Sequence, residues 1–217
     1  MTMTTAEKMD QNNQEEDAVS PEQVRRGRRT AVLLFAIGFG PMIFATIMYY
    51  TGWLNPSGHS NNGELIQPPA PLGQMQLEGA NGKPLADRFG PEATDPEWMM
   101  MVVSGDCGAS CEELLYRARQ VNIALGKNAN RVNRSAWLGS VSEDLSARWN
   151  DEYRSMERLS ISGGESPQWP AGINPDQEPR ILLVDPFGNV ILHYGIEHSG
   201  KDMLKDLKHL LKLSQIG

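Results

Sequence analysis

Three things are scarce in this sequence, and each absence excludes something. Residues 1–24 hold almost nothing that a core would bury, and Glu7, Asp10, Glu15, Glu16, Asp17 and Glu22 make the stretch acidic. Such a segment cannot offset the entropy of ordering itself, so residues 1–29 read as a disordered tail. Basic residues are outnumbered, 20 Lys and Arg against 27 Asp and Glu, for a net charge of −7. With no broad basic face to meet phosphates, nucleic acid is excluded as a partner. Charge is missing altogether from Thr30 to Tyr50.

That uncharged run is the first positive signal. Ala31–Tyr50 is 20 residues long, and at about 1.5 Å per residue it spans roughly the 30 Å hydrocarbon core of a bilayer. Gly38, Gly40 and Pro41 would weaken a helix in water but are tolerated in a membrane span. Tyr49, Tyr50 and Trp53 stand where an interfacial aromatic belt belongs. Residues 30–53 are therefore expected to form one retained transmembrane helix. Arg25, Arg26, Arg28 and Arg29 precede it, and no Lys or Arg follows until Lys83. The positive-inside rule then puts the N-terminus in the cytoplasm and the C-terminal bulk on the periplasmic side of an inner (plasma) membrane.

Residues 54–96, rich in Pro, Gly and Asn, read as a linker with a possible short strand pair near 74–88. The domain proper is expected over 97–217. Trp98–Val103 is a continuous apolar run, the mark of a strand buried on both faces. A helix over about 111–125 follows, with Leu114, Leu115, Ala118, Val121 and Leu125 on one face and Gly126 as its stop. Val132–Ser140 is a second strand, and Glu143–Leu159 reads as helical. Arg180–Asp185 and Val190–Tyr194 are strands joined by the turn Pro186-Phe187-Gly188-Asn189. A last helix, about 200–213, puts Met203, Leu204, Leu207, Leu210 and Leu211 on one face and four lysines on the other. The order β-α-β-α-β-β-α predicts an α/β sandwich with a mixed sheet.

The two cysteines carry the chemistry. Cys107 and Cys111 follow the buried strand and open a helix, where free backbone N–H groups and the helix dipole stabilise a thiolate. Two such thiolates close a disulfide, or bind a soft ion such as Cu(I) with a third ligand. A bridge enclosing three residues constrains little unfolded chain, so stability is a poor reason to have it. A purely structural bridge remains the alternative in a non-cytoplasmic domain.

This strand–turn–Cys-x-x-x-Cys–helix segment resembles the Sco family of membrane-anchored, copper-handling proteins of cytochrome c oxidase assembly. It is also similar to small inner-membrane proteins associated with oxidase assembly in proteobacteria. The stretch from Pro179 to Gly188 resembles the Pro-x-x-x-Leu-x-Asp-x-x-Gly segment of thioredoxin-like proteins. The resemblance covers about residues 96–213 and implies a thioredoxin-like fold in which Cys107 and Cys111 correspond to the copper-binding cysteines. It further implies that Pro179 matches the proline, often cis, that faces the cysteines of thioredoxins. The third Sco ligand, a histidine just before the hairpin, does not carry over, because the chain there reads Asn174-Pro175-Asp176-Gln177-Glu178-Pro179.

Strand direction offers a substitute. If the first hairpin strand runs antiparallel to the cysteine strand, the second ends at the cysteine edge and brings Glu197 and His198 toward the site, making His198 the candidate third copper ligand. His59, in the linker, and His209, on the last helix, are remote. The expected function is an anchored assembly factor for cytochrome c oxidase that handles copper, or the thiols of a copper site, through Cys107 and Cys111. The alternatives are a general cell-envelope thiol–disulfide oxidoreductase acting on other envelope thiol proteins, and a non-catalytic binding module with a structural disulfide.

Overall fold

The computed structural model describes residues 21–51, 61–94, 97–163 and 167–214. The acidic segment 1–20, Trp53 and His59 lie outside the described residues. The chain divides into two compact units, residues 1–58 and 59–217.

The first unit holds one helix, α1 (Pro21–Thr51). It starts before the span expected from residue 30, so Arg25–Arg29 belong to the helix rather than to a disordered tail. Pro21 suits a first turn, since its missing N–H would have had no partner there, and Glu22 meets the positive end of the helix dipole. No α1 side chain is buried by protein. Leu33, Leu34, Phe35, Ile37 and Met42 all stand more than half exposed, a surface that water disfavours and hydrocarbon accepts. Thr30, Thr46 and Thr51 turn their hydroxyls inward, donating to the carbonyls of Arg26, Met42 and Ile47 four residues back. Every feature of α1 fits a single-pass membrane anchor.

The second unit is built on a seven-stranded mixed sheet: β1 (Glu64–Pro71), β2 (Leu77–Glu78), β3 (Trp98–Cys107), β4 (Val132–Val141), β5 (Glu157–Ile161), β6 (Arg180–Val184) and β7 (Asn189–Tyr194). Their spatial order is β1-β7-β6-β3-β4-β5-β2. The apolar run of β3 sits at the centre, parallel to β4 and antiparallel to β6. Its side chains alternate between two cores. Trp98, Met100 and Val102 face helices α2 (Ala109–Ala124) and α4 (Gly200–Leu213). Met99, Met101 and Val103 face the opposite layer with Leu72, Met75 and Leu85. Each of these side chains is at most 5% exposed, and each contributes roughly 1.5–3 kcal/mol by leaving water.

Two further expectations need correcting. Residues 61–94 are part of the domain, not a spacer: β1 pairs with β7, β2 pairs with β5, and Leu72, Met75 and Leu85 are core. Their Pro-rich composition suggests a linker, yet proline is tolerated on an edge strand that is bonded on one side only. The helix expected over 143–159 stops early as α3 (Glu143–Glu152), and Glu157–Ile161 turns into β5 beside β4. Tertiary pairing overrides helix propensity there.

At the start of the domain, Asp206 of α4 is buried and its carboxylate accepts from the N–H groups of Asn62 and Gly63, from the Asn62 amide and from the Tyr194 hydroxyl. Burial, followed by the nearby Asp206 charge, pushes the Tyr194 phenol well above its ordinary range. The entering chain is thus fastened to α4.

Candidate functional site at the end of the central strand

Cys107 is the last residue of β3, Gly108 is the N-cap of α2, and Cys111 lies in the first turn of that helix. The two cysteines form a disulfide with their Cα atoms 5.0 Å apart. Both are buried, Cys107 to 5% exposure and Cys111 to 1%, among the side chains of the α2–α4 core. Gly108, Ala109 and Ser110, which cross over the bridge, are exposed. The first helical N–H groups have no intrahelical acceptor and point toward this end.

The neighbouring backbone is tightly fitted. The Gly105 N–H donates to the Pro175 carbonyl at 2.8 Å, so the 174–178 loop crosses β3 two residues before Cys107. A side chain at Gly105 would meet Asp176, whose Cα lies 2.9 Å from the place of the missing Cβ. Asp106 accepts from the Ser140 hydroxyl on β4, and the buried Ser104 hydroxyl donates to the Asp106 carbonyl at 2.8 Å. On the helix side, Arg148 of α3 pairs with Glu112, next to Cys111, at 3.0 Å and also with Asp144 and Glu152. The hydrogen bond to Glu112 leads the causes that hold the Arg148 guanidinium above its ordinary range.

Pro179 lies on the same edge, half-buried, one residue before the Arg180–Val103 pair. Its preceding peptide is trans; the one cis bond among the described residues is Gln67–Pro68.

The contacts of His198 include neither sulfur. Strand β6 is antiparallel to β3 as expected, and β7 ends at Tyr194 in register with Ile181 and hence with Val102. Beyond Tyr194 the chain turns, and the His198 N–H donates to the Gly195 carbonyl at 3.2 Å. Arg117 donates to the carbonyls of Ile196 and His198, and Arg117 stands six residues, roughly 9 Å, beyond Cys111 along α2. The His198 ring packs edge-on against Tyr194 at 5.6 Å, and its Nδ1 accepts from the Gly195 N–H at 3.1 Å. Among the described residues one trio brings candidate metal-ligand atoms within 4.8 Å, and it is Glu64, Glu197 and His198, without either sulfur. Arg180 already donates to Glu197 at 2.8 Å there. His193, behind this corner, is buried with its Nδ1 lacking a partner, and burial above all pulls its pKa down. His209 is exposed on α4.

The donor set at the cysteine edge is therefore two sulfurs, bridged to each other. Once reduced, they would offer two soft thiolates that suit Cu(I). Among the described residues, no candidate ligand trio joins an imidazole to them.

The family model for the transmembrane-like, thioredoxin-like C-terminal domain matches residues 98–214, and the companion transmembrane-like N-terminal domain matches 21–52. The chain belongs to this family. Its fold is the thioredoxin-like one, preceded by one apolar helix. No curated protein matches the chain. Among solved structures it is similar to copper-bound ScoI of Arabidopsis thaliana, at 12% identity over 70% of this chain and 99% of that one, with a TM-score of 0.47. It is also similar to apo Sco1 of Thermus thermophilus, at 17% identity over 71% and 99%, with a TM-score of 0.49. Copper-bound yeast Sco1 is similar at 13% identity over 72% and 96%, with a TM-score of 0.46.

Sequence reasoning missed the 174–178 loop over Gly105 and the Arg148 network. The second left a trace, since Asp144, Arg148 and Glu152 stand at helical i, i+4 spacing.

Proposed function

We propose that this chain is a membrane-anchored thioredoxin-like assembly factor for cytochrome c oxidase, acting on the thiols of a copper site through Cys107 and Cys111. The observation that carries the reading is the disulfide between two cysteines at the junction of a central strand and a helix N-terminus. The oxidase as client is drawn from the resemblance of the Cys-x-x-x-Cys segment.

In the reduced chain, the Cys107 thiolate attacks a partner disulfide. A mixed disulfide forms, and the partner's S–S bond breaks with its electron pair leaving as a thiolate. Cys111 then gives up its proton and attacks the Cys107 sulfur, which releases the partner as a dithiol and leaves the Cys107–Cys111 bridge. Cys107 is assigned the first attack because it is the more exposed of the two. The α2 N–H groups favour its thiolate. A partner dithiol is the state that binds copper, and a thiol reductant of the envelope must reset the chain. Copper itself is the alternative cargo, held as Cu(I) by the two reduced sulfurs. The contacts of His198 with Gly195 and Tyr194 speak for leaving it out of that binding.

The reading places the N-terminus in the cytoplasm and the domain in the periplasm, supported by Arg25–Arg29 before the span. Burial of both sulfurs favours a second reading, a binding module whose bridge is structural.

The test uses full-length Cys111→Ser protein in its native membrane, since removing the resolving cysteine stalls the mixed disulfide. A covalent complex with the copper-site subunit of the oxidase is expected. Complexes with unrelated envelope thiol proteins would move the function to a general oxidoreductase, and no complex at all would favour the structural bridge.

A further inference from the structure

Helix α4 carries Lys201, Lys205, Lys208 and Lys212 at i, i+4, i+7 and i+11, which is one continuous stripe along its outer face. All four are exposed, and none forms an ion pair among the described residues. The two acids of the helix are occupied elsewhere. Asp206 is buried under Asn62, Gly63 and Tyr194, and Asp202 closes the capping box with Ser199. In a chain of net charge −7 this face is therefore uniformly basic.

Apolar side chains border the stripe on one side. Leu213 is 68% exposed and Leu65 of β1 is 41% exposed. With Ile191, Leu210 and His209 they line an open groove of about 250 Å³. Basic residues beside exposed leucines form the pattern by which a surface helix meets a lipid headgroup layer.

The tether distinguishes lipid from other anionic partners. Nine residues separate Thr51, the end of the membrane helix, from Asn61. The chain that emerges from them is fastened to α4 itself, through the bonds from Asn62 and Gly63 to Asp206. The helix that bears the lysines is thus the element to which the membrane tether is tied. A polybasic face is attracted to anionic lipid wherever it comes within a Debye length of the bilayer surface.

We infer that the lysine stripe of α4, with Leu213 and Leu65 at its margin, docks the domain on a membrane surface of anionic phospholipid. Docking would fix which way the domain faces its client, and it does not depend on the chemistry assigned to the cysteines.

The test is amine acylation of the full-length protein in nanodiscs, read lysine by lysine by mass spectrometry. In discs containing phosphatidylglycerol, the four α4 lysines should react about fivefold more slowly than in pure phosphatidylcholine discs. High salt should abolish the difference, while Lys83 and Lys127 react equally in both. Equal rates for the α4 lysines in the two lipids overturn the inference and leave the stripe to an acidic protein. A difference shared equally by Lys83 and Lys127 also overturns it, because the effect would then belong to the lipid and not to this face.

Discussion

The cysteine edge and the His198 corner lie toward the same end of the sheet, yet they are chemically opposite. At the cysteine edge a covalent bond joins two sulfurs whose surroundings are a hydrophobic core, an exposed crossing of Gly108–Ser110 and a helix N-terminus. At the corner, the polar groups already have partners: Arg117 holds the turn carbonyls, Arg180 holds Glu197, and Gly195 donates to His198. The first region can change state by making and breaking one bond. The second is a hydrogen-bonded turn, behind which the buried His193 Nδ1 lacks a partner. Being at the same end of a sheet does not make two groups one site; a side chain also has to be aimed at the other.

The largest effect expected from this contrast is at the sulfurs. Cys107→Ser or Cys111→Ser should abolish thiol–disulfide turnover while lowering stability by no more than about 2 kcal/mol, the loop-entropy value for so short a ring. Insulin-type disulfide reduction and a denaturant curve measure the two effects separately. Unfolding of the serine variants would make the bridge structural.

Next in size is the clamp behind the corner. Asp206→Ala removes the acceptor of the Gly63 N–H and the Tyr194 hydroxyl, which are buried, and should cost about 3 kcal/mol of domain stability. Thermal unfolding reads it, and the redox behaviour of the cysteines should stay unchanged.

A smaller effect is expected at His198 itself. His198→Ala should cost about 1 kcal/mol through the lost Gly195 bond. Cu(I) stoichiometry and thiol turnover should be those of the unaltered chain. A marked loss of Cu(I) binding would reunite the two regions into one site.

The smallest effect concerns acid. Burial holds His193 below its ordinary pKa, so the folded chain resists a proton that the unfolded chain accepts near pH 6.5. Its contribution is therefore complete above that pH and is lost as pH falls below it. Stability measured from pH 7 to 5 should fall less steeply in His193→Gln than in the unaltered chain.

How much of this was legible in the sequence depended on locality. The span, the buried strand Trp98–Val103, the hairpin around Gly188 and the last helix are written in uninterrupted local patterns. Strand β1 was hidden because its prolines signal a linker, and only its pairing with β7 makes it a strand. Strand β5 was hidden behind a helix-compatible run that ends at Tyr153. The antiparallel direction of β6 against β3 follows from the hairpin pattern, while the turn after Tyr194 has no local signal. That turn is fixed by Arg117, which belongs to another element and is distant in sequence.

The central claim is that the Cys107–Cys111 bond is a working redox couple. Equilibrating the full-length protein in dithiol–disulfide buffers, and counting free thiols by mass-tag alkylation, tests it most directly. The account predicts one reversible two-electron transition in which both cysteines appear together, with circular dichroism unchanged across it. A bridge that opens only when the domain unfolds would contradict it.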